Sequence, residues 1–223
     1  MKPICIIPAR SGSKRIKNKN IKKINGKPLI AIAIDIAKQS NIFQRIIVST
    51  DSKQIAQIAI NSGAEVPFIR SKKLSDDFTP TYKVLIDCIN KIESKKVKFH
   101  FCLYPTSILI DKNDFLFGFD KIKKTNSDFL CPIKKFNHNP QRSLIIKNNN
   151  ISFYLPKNQT KRSQDLSDLY YDTGSFYIYR TKALLQMSNR QILPKKSTYI
   201  VLKKKLIDVN YLQDLVLLKK IIN

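Results

Sequence analysis

Strand-like and helix-like segments alternate along the first 133 residues of the chain. Short apolar runs at residues 2–8 and 45–49 are typical of buried strands, whereas residues 28–40 and 52–62 space their apolar side chains as helices do. The pattern continues as strand, helix, strand, helix and strand over residues 65–69, 81–92, 99–104, 111–124 and 128–133. This alternation predicts an α/β fold with a mostly parallel sheet covered by helices on both faces, and ligands at the carboxyl ends of the strands.

Residues 134–168 interrupt the alternation. Two short apolar-rich runs, at residues 144–146 and 151–155, flank an asparagine-rich turn and predict a hairpin that protrudes from the α/β core. The chain then returns through a strand at 176–179, a helix at 181–187, a strand at 198–202 and a helix at 211–222. Without a visible linker or internal repeat, we expect residues 1–223 to form a single domain that includes this excursion.

Composition narrows the class of protein. The chain has 41 Lys and Arg against 16 Asp and Glu, a net charge of +25, but these cations are spread along its whole length. Abundant lysine, isoleucine and asparagine together indicate compositional drift, so we expect neither a nucleic-acid nor a membrane partner. The apolar run at residues 4–7 is too short for a signal peptide or a membrane span, and the four cysteines form no CxxC pair. A cytoplasmic protein with reduced thiols is predicted.

The loop after the first strand combines small residues with cations. Residues 9–20 read A-R-S-G-S-K-R-I-K-N-K-N, with five cations, two serine hydroxyls and one glycine that permits close backbone approach. Such a loop suits a phosphate group, although in a lysine-rich chain it could equally be an idle surface turn. Neither GxxxxGK[ST] nor GxGxxG is present, so this is neither a Walker loop nor a dinucleotide fingerprint.

The same twelve residues resemble the signature A-R-x-G-S-K-x-I/L-x-x-K-N of the cytidylyltransferases that make CMP-activated acidic sugars. The resemblance implies a three-layer, Rossmann-like nucleotidyltransferase fold and a loop that holds the triphosphate of CTP. It implies catalytic charge neutralisation by Arg10 and Lys19. Further nucleotide contacts are implied for Ala9, Gly12, Ser13, Lys14 and Asn20.

A second motif lies between the predicted strand at 65–69 and the helix that follows. Residues 70–79 read R-S-K-K-L-S-D-D-F-T and resemble the family segment R-P-x-x-L-S-x-D-x-T, which implies nucleotide contacts from Arg70, Asp77, Thr79 and Thr81. Taken alone, Asp77 and Thr79 could instead cap the helix near Thr81. Asp51, between a strand and a helix, also matches a family signature but is of a type that usually caps helices.

Four further segments suggest where the acceptor sugar binds. Residues 104–107 read Y-P-T-S, where sialate enzymes have Q-P-T-S, and residues 162–166 and 172–177 read R-S-Q-D-L and D-T-G-S-F-Y. These resemble the pseudaminic acid cytidylyltransferases, and P-Q-R at 140–142 resembles a shortened segment of the same group. The implied substrate-binding residues are Tyr104, Thr106, Ser107, Gln141, Arg142, Arg162, Gln164, Asp165, Asp172 and Gly174. Pseudaminic acid is the expected acceptor, with legionaminic or N-acetylneuraminic acid as alternatives.

A metal site is implied just before the last helix. The family places two aspartates in D-I-D-T, and this chain has Asp208-Val209-Asn210, so only Asp208 matches a carboxylate ligand for Mg²⁺. Alternatively, Asp208 and Asn210 cap the helix. The reaction implied is attack by the anomeric hydroxyl of an acidic nine-carbon sugar on the α-phosphate of CTP, in a homodimer. A non-catalytic, basic nucleic-acid-binding protein is the alternative from another class.

Overall fold

A computed structural model describes residues 1–188 and 193–222. Its strands are β1 (Ile4–Pro8), β2 (Lys23–Ile24), β3 (Lys27–Pro28), β4 (Arg45–Ser49), β5 (Phe99–Leu103), β6 (Phe129–Lys135), β7 (Leu144–Lys147), β8 (Asn150–Phe153), β9 (Tyr170–Asp172), β10 (Phe176–Arg180) and β11 (Ser197–Val201). Its α-helices are α1 (Leu29–Ser40), α2 (Lys53–Asn61), α3 (Thr81–Lys91), α4 (Lys112–Lys124), α5 (Thr181–Leu185) and α6 (Leu212–Ile222).

The central sheet has the strand order β11-β6-β10-β5-β1-β4, and β9 pairs with β6 beside this path. Strand β1 is parallel to β4 and β5, and β6 is parallel to β11, while β10 runs antiparallel to both β5 and β6. Five of the strands therefore point the same way, and their carboxyl ends meet at one edge. The predicted α/β fold with a mostly parallel sheet is confirmed.

Alternate side chains of the buried strands pack into two separate hydrophobic cores, one on each face of the sheet. On β1, Cys5 and Ile7 pack in a cluster with α1, α2 and α4, whereas Ile4 and Ile6 pack with α3 and α5 on the other face. All four side chains are at most 1 % exposed. Because successive strand side chains point to opposite faces, this arrangement gives three layers, helices over sheet over helices.

The sequence prediction of a strand at residues 65–69 is wrong. Here the chain makes only isolated bridges, from Glu65 to Ile47 and from Ile69 to Thr50. Pro67, between them, has no N–H to donate to a neighbouring strand, which limits regular pairing. The segment still runs alongside β4, and Arg70 N–H donates to the Thr50 carbonyl at 2.8 Å, so Arg70 is held at the carboxyl edge of the sheet.

The excursion forms a hairpin as expected. Strands β7 and β8 make a two-stranded sheet of their own, and β9 then returns to β6. Several apolar hairpin side chains face solvent in the single chain, including Ile146 at 77 % exposed and Ile151 at 68 %. Within the part of the chain that the structure describes, no helix is long and apolar enough to cross a membrane.

Candidate active site

Two cavities adjoin each other beside the sheet. The first, here called the basic cavity, is about 550 Å³ and lies at the carboxyl edge, between the loop at residues 10–20 and the segment at 70–81. The second, the apolar cavity, is about 830 Å³ and runs over β6, β10 and β11. Thr81 and Tyr104 line both cavities, so the two are direct neighbours.

Most residues predicted to contact a nucleotide meet in the basic cavity. Its wall includes Arg10, Ser13, Lys14, Lys19, Asn20, Arg70, Asp77, Thr79 and Thr81. Ala9 is instead fully buried beneath the loop, where its N–H donates to the Ser49 carbonyl at 2.9 Å. Gly12 is exposed, with an ordinary backbone conformation and nothing within 4 Å of where a Cβ would stand. The free loop therefore does not itself require glycine at position 12.

Asp51 shapes the basic loop. Its two carboxylate oxygens accept from the N–H and the hydroxyl of Ser11, at 2.8 and 2.7 Å. Burial raises the pKa of this carboxyl, but the Ser11 bonds outweigh it and the net pKa is lowered. The helix cap expected of Asp51 is made by Ser52, whose hydroxyl accepts from Ile55 N–H at 3.3 Å. Asp51 is thus free to hold the loop.

Asp77 pairs with two cations of the basic loop. It lies 2.6 Å from Arg10 and 2.6 Å from Lys14, and these hydrogen bonds, that from Lys14 above all, lower its pKa. The neighbouring Asp76 accepts the N–H groups of Phe78 and Thr79 and so closes the turn before α3. Asp77 therefore does not cap the helix and instead joins the two sides of the basic cavity.

Lys19 connects the loop to the C-terminal part of the chain. Its ammonium donates to the Val209 carbonyl at 2.9 Å, across 190 residues of sequence. Burial, followed by repulsion from Arg15, lowers the pKa of Lys19, while Asp208 acts in the opposite direction. Asn20 joins the two ends of the loop, because its side-chain amide donates to the Arg10 carbonyl at 2.9 Å.

Arg70 is a buried cation at the back of the basic cavity. The residue is 3 % exposed, and its Nε donates to the Ser75 hydroxyl at 3.0 Å. Burial lowers the pKa of its guanidinium, with Asp51 opposing the shift. A guanidinium held rigidly in this way presents a planar set of donors to an anion or a base carbonyl.

The junction of the two cavities is lined by hydroxyl groups. The Tyr104 and Thr81 hydroxyls are hydrogen-bonded at 2.8 Å, and the Tyr104 ring meets Tyr177 edge-on at 5.9 Å. Tyr177 donates to Asp172 at 2.6 Å, and the Gly174 N–H donates to the other Asp172 oxygen at 2.9 Å. Burial raises the pKa of both tyrosines, so they remain neutral hydrogen-bonding groups.

Asp208 lines a small cavity together with Gly174 and Thr106, and Thr106 also lines the basic cavity. Its carboxylate accepts from the Asn210 amide at 2.6 Å. Asp214, in the first turn of α6, accepts from the N–H groups of Asn210 and Tyr211 at 2.8 and 2.7 Å and so fixes the chain as it enters the helix. Among the described residues, the Asp208 carboxylate accepts from no N–H group of α6, so it does not cap that helix.

Comparison with known proteins identifies the family of the chain. The family model described as Cytidylyltransferase matches residues 4–217. The chain is 37 % identical over 218 residues to a pseudaminic acid cytidylyltransferase of Campylobacter jejuni, covering 96 % of this chain and 94 % of that protein. The chain belongs to the cytidylyltransferase family.

Two further proteins are similar to the chain. The N-acylneuraminate cytidylyltransferase of Streptococcus agalactiae is 31 % identical over 189 residues, covering 83 % of this chain and 45 % of that protein. A solved CMP-2-keto-3-deoxy-manno-octonic acid synthetase, complexed with CTP, superimposes with a TM-score of 0.73 at 17 % identity, covering 100 % of this chain and 98 % of that one. The latter likeness shows that the fold is shared.

This cytidylyltransferase chain does not bring all the predicted acceptor residues together. Tyr104 and Asp172 line the apolar cavity and Thr106 the basic one, and Ser107 is buried with its hydroxyl donating to the Ser175 carbonyl at 2.8 Å. Gly174 lines the small cavity that also contains Asp208. The remaining five, on the excursion, line neither the basic nor the apolar cavity: Gln141, Arg142, Arg162, Gln164 and Asp165. Their role in substrate binding stays a prediction.

The arginines of the excursion have partners within it. Arg142 donates to the Lys161 carbonyl, and Arg162 makes a two-pronged bond to Asp165 at 2.8 and 3.0 Å. The α/β core does not fix the position of either side chain, because Arg162 is exposed and Arg142 stacks over Phe153 on the hairpin itself. A carboxylate clamp built from them requires that the excursion reach an acceptor site.

Sequence reasoning missed two tyrosines of the apolar cavity. Tyr177 and Tyr179 both line it, along with Phe129 on the neighbouring strand. Their spacing of two residues on a strand is the signal that places them on one face. The motif D-T-G-S-F-Y was read for its aspartate and glycine, whereas Tyr177 supplies the bond that fixes that aspartate.

Proposed function

We propose that the chain transfers CMP from CTP to the anomeric hydroxyl of a nonulosonic acid and releases pyrophosphate. The observation that carries the proposal is that a cation-lined cavity adjoins an apolar one, with Thr81 and Tyr104 in the wall of both. A nucleoside triphosphate fits the first and an acylated, deoxygenated sugar fits the second. The similarity to a pseudaminic acid cytidylyltransferase and to an N-acylneuraminate cytidylyltransferase supports the same reaction.

Positioning and charge neutralisation are the catalytic means. Arg10, Lys14 and Lys19 converge on the basic cavity and would share the charge that develops on the phosphates as the α-phosphate is attacked. Arg70, fixed by Ser75, is placed to orient the base or the phosphates. Holding donor and acceptor in one cleft removes much of the entropic barrier to their reaction.

Mg²⁺ is the proposed cofactor, and Asp208 is the carboxylate that we expect to bind it. The carboxylate accepts only from the Asn210 amide among the hydrogen bonds described, and no cation is paired with it in the structure's described part. No group of three or more His, Cys, Asp or Glu side chains occurs among those residues either. Asp208 would hold the ion together with phosphate oxygens and waters. When bound, the ion would neutralise phosphate charge and lower the pKa of the attacking hydroxyl.

Pseudaminic acid is the proposed acceptor, and the same reaction on legionaminic or N-acetylneuraminic acid is the alternative. Asp172 supports this choice because a carboxylate only accepts hydrogen bonds, and therefore favours a sugar substituent with N–H or O–H donors. Its position in the wall of the apolar cavity places that acceptor beside Phe129, Ile133 and Tyr179. Acetamido groups offer both an N–H and a methyl group to such a wall.

We also propose a homodimer that functions in the cytoplasm. The exposed apolar hairpin supports the homodimer, because large apolar patches mark interaction sites. In a dimer, Arg142 and Arg162 of one chain would be able to reach the acceptor site of the other. The four free, buried cysteines support the cytoplasmic location, because reduced thiols are usual in that compartment.

The decisive test is a pyrophosphate-release assay with Mg²⁺, each of the four nucleoside triphosphates, and a panel of nonulosonic acids. We expect turnover with CTP, and pseudaminic acid to be used in preference to N-acetylneuraminic acid. Equal turnover with ATP or UTP would contradict the proposed nucleotide. A preference for N-acetylneuraminic acid would contradict the proposed acceptor while leaving the reaction type intact.

A further inference from the structure

Asp77 holds a position in the basic cavity that a phosphate group also requires. Its carboxylate contacts the guanidinium of Arg10 and the ammonium of Lys14, each at 2.6 Å. The proposed function assigns these same two cations to the triphosphate of CTP. A carboxylate and a phosphate are both anions, so direct contact between Asp77 and the triphosphate is unfavourable. The two anions must therefore compete for the cations.

The Asp77 side chain is able to leave without dismantling its segment. The turn at residues 76–79 is closed by Asp76, which accepts from the N–H groups of Phe78 and Thr79 at 3.0 and 2.6 Å. The segment is anchored further by the bond from Arg70 Nε to Ser75. Lys14, one of the two partners of Asp77, is 79 % exposed and has a flexible side chain. Exchange of partners thus requires side-chain movement only.

We propose that Asp77 is an exchangeable counter-anion of the basic cavity, paired with Arg10 and Lys14 in the free enzyme and displaced from them by phosphate. This inference rests on the proposed function, because it takes the basic cavity as the triphosphate site. Asp77 holds the two cations in place and offsets their mutual repulsion when no nucleotide is bound. It also weakens the hold of the cavity on any phosphate, including the pyrophosphate that must leave after each turnover.

The test measures phosphate affinity without turnover. Calorimetry with sodium tripolyphosphate and sodium pyrophosphate, without metal, compares the unaltered chain with Asp77→Asn. We expect Asp77→Asn to bind both anions about tenfold more tightly, which corresponds to the loss of two competing, partly exposed ion pairs. Asp120→Asn is the matched control: Asp120 pairs with Lys124 at 2.8 Å, lines neither cavity, and its substitution changes the net charge equally.

The outcomes separate this inference from the proposed function. Equal affinity of the unaltered chain and Asp77→Asn would overturn the inference alone, and so would an equal gain in the Asp120→Asn control. Failure of every form to bind tripolyphosphate would contradict the triphosphate site itself, and the inference with it. In turnover assays, Asp77→Asn should need no more Mg²⁺ for half-maximal rate, whereas a higher requirement would show that Asp77 is a metal ligand and overturn the proposal.

Discussion

Lys19 differs from the exposed lysines of the basic loop in its surroundings. It is partly buried, donates to the Val209 carbonyl at 2.9 Å, and its pKa is lowered by burial. An ammonium fixed in this way is already oriented when the transition state forms. Little free energy is therefore spent on reorienting this ammonium group, and its interaction with the charge that develops on the phosphates is correspondingly strong.

We expect Lys19→Ala to lower kcat/KM for CTP by about 100-fold or more, since a donor aimed at transition-state charge is worth several kcal/mol. Steady-state kinetics at saturating acceptor measure the effect. Lys17→Ala is the control, because Lys17 lies exposed on the same loop and outside both cavities, and it should remain within a few-fold of the unaltered enzyme. Similar small losses in both variants would show that Lys19 is an ordinary surface cation.

Asp172 is the residue at which acceptor choice is expected to be decided. Tyr177 and the Gly174 N–H each donate to one of its oxygens, so the carboxylate is oriented and retains lone pairs for a substrate N–H. Asp172→Asn should reduce the preference for pseudaminic over N-acetylneuraminic acid by about tenfold or more, because a site built for a hydrogen bond discriminates strongly. Competition kinetics with both sugars provide the measurement.

A charge-matched control for this experiment is Asp168→Asn. Asp168 pairs with Lys135 at 2.6 Å, outside both cavities, and its substitution should leave the ratio of the two sugars unchanged. If Asp172→Asn also left the ratio unchanged, the acceptor preference would have to reside elsewhere in the cleft.

At the scale of elements, a buried histidine links three parts of the fold. His100 on β5 is 0 % exposed and is hydrogen-bonded to the Ser94 hydroxyl at 2.9 Å and to the Thr181 hydroxyl at 2.7 Å. Ser94 follows α3 and Thr181 begins α5, so the imidazole joins the helices of one face to the sheet. Burial lowers the pKa of His100 from 6.5 to about 4.

The fold should consequently lose stability in acid. Between pH 6.5 and about pH 4 the unfolded chain binds a proton at His100 that the folded chain does not. The contribution of neutral His100 is thus complete above pH 6.5 and declines by about 3 kcal/mol as the pH falls to the folded-state pKa. Urea unfolding at several pH values should show this slope, and His100→Gln should remove that part of it. An unchanged slope in His100→Gln would assign the acid sensitivity to other groups.

Much of the element pattern could be predicted because apolar spacing is a local property. The helices α1 to α4 and the strands β1, β4, β5 and β6 occur where the spacing places them, within a few residues. Residues 65–69 were the exception, because an apolar run interrupted by Pro67 pairs only at its ends. The antiparallel position of β10 between β5 and β6 was not predictable from the sequence. The order of strands in a sheet depends on contacts between residues that are far apart in sequence, and local apolar spacing does not reveal these.

The candidate site was partly predictable for a related reason. The loop at residues 10–20 follows β1, and the segment at 70–81 follows residues that run alongside β4, so both lie at the carboxyl edge of the sheet. Asp77 matched a motif, but its pairing with Arg10 and Lys14 depends on side-chain geometry across the cavity. The Lys19 bond to Val209 likewise joins residues too distant in sequence for any pattern to connect.

For the whole molecule, the expected assembly rests on the hairpin of β7 and β8. Ile146 and Ile151 are directly paired across it, and both are largely exposed in one chain. We expect sedimentation at micromolar concentration to give a dimer mass, and the double substitution Ile146→Asp and Ile151→Asp to give a monomer. Phe117→Asp, which alters an exposed aromatic side chain on α4 at 60 % exposure, is the control and should leave the mass unchanged. A monomeric mass for the unaltered chain would rule out the dimer.

The position of β10 between β5 and β6 has a consequence for how the chain is made. Strand β1 pairs with β4 on one side and with β5 on the other, and all three are complete once residue 103 has emerged from the ribosome. Strand β6 is synthesised next, but it does not pair with β5, because β10 lies between the two in the finished sheet and is made only after the excursion. One edge of β5 and the facing edge of β6 therefore stay unpaired while residues 136–175 are synthesised. During that interval, protection from wrong pairing has to come from chaperones or from the speed of translation.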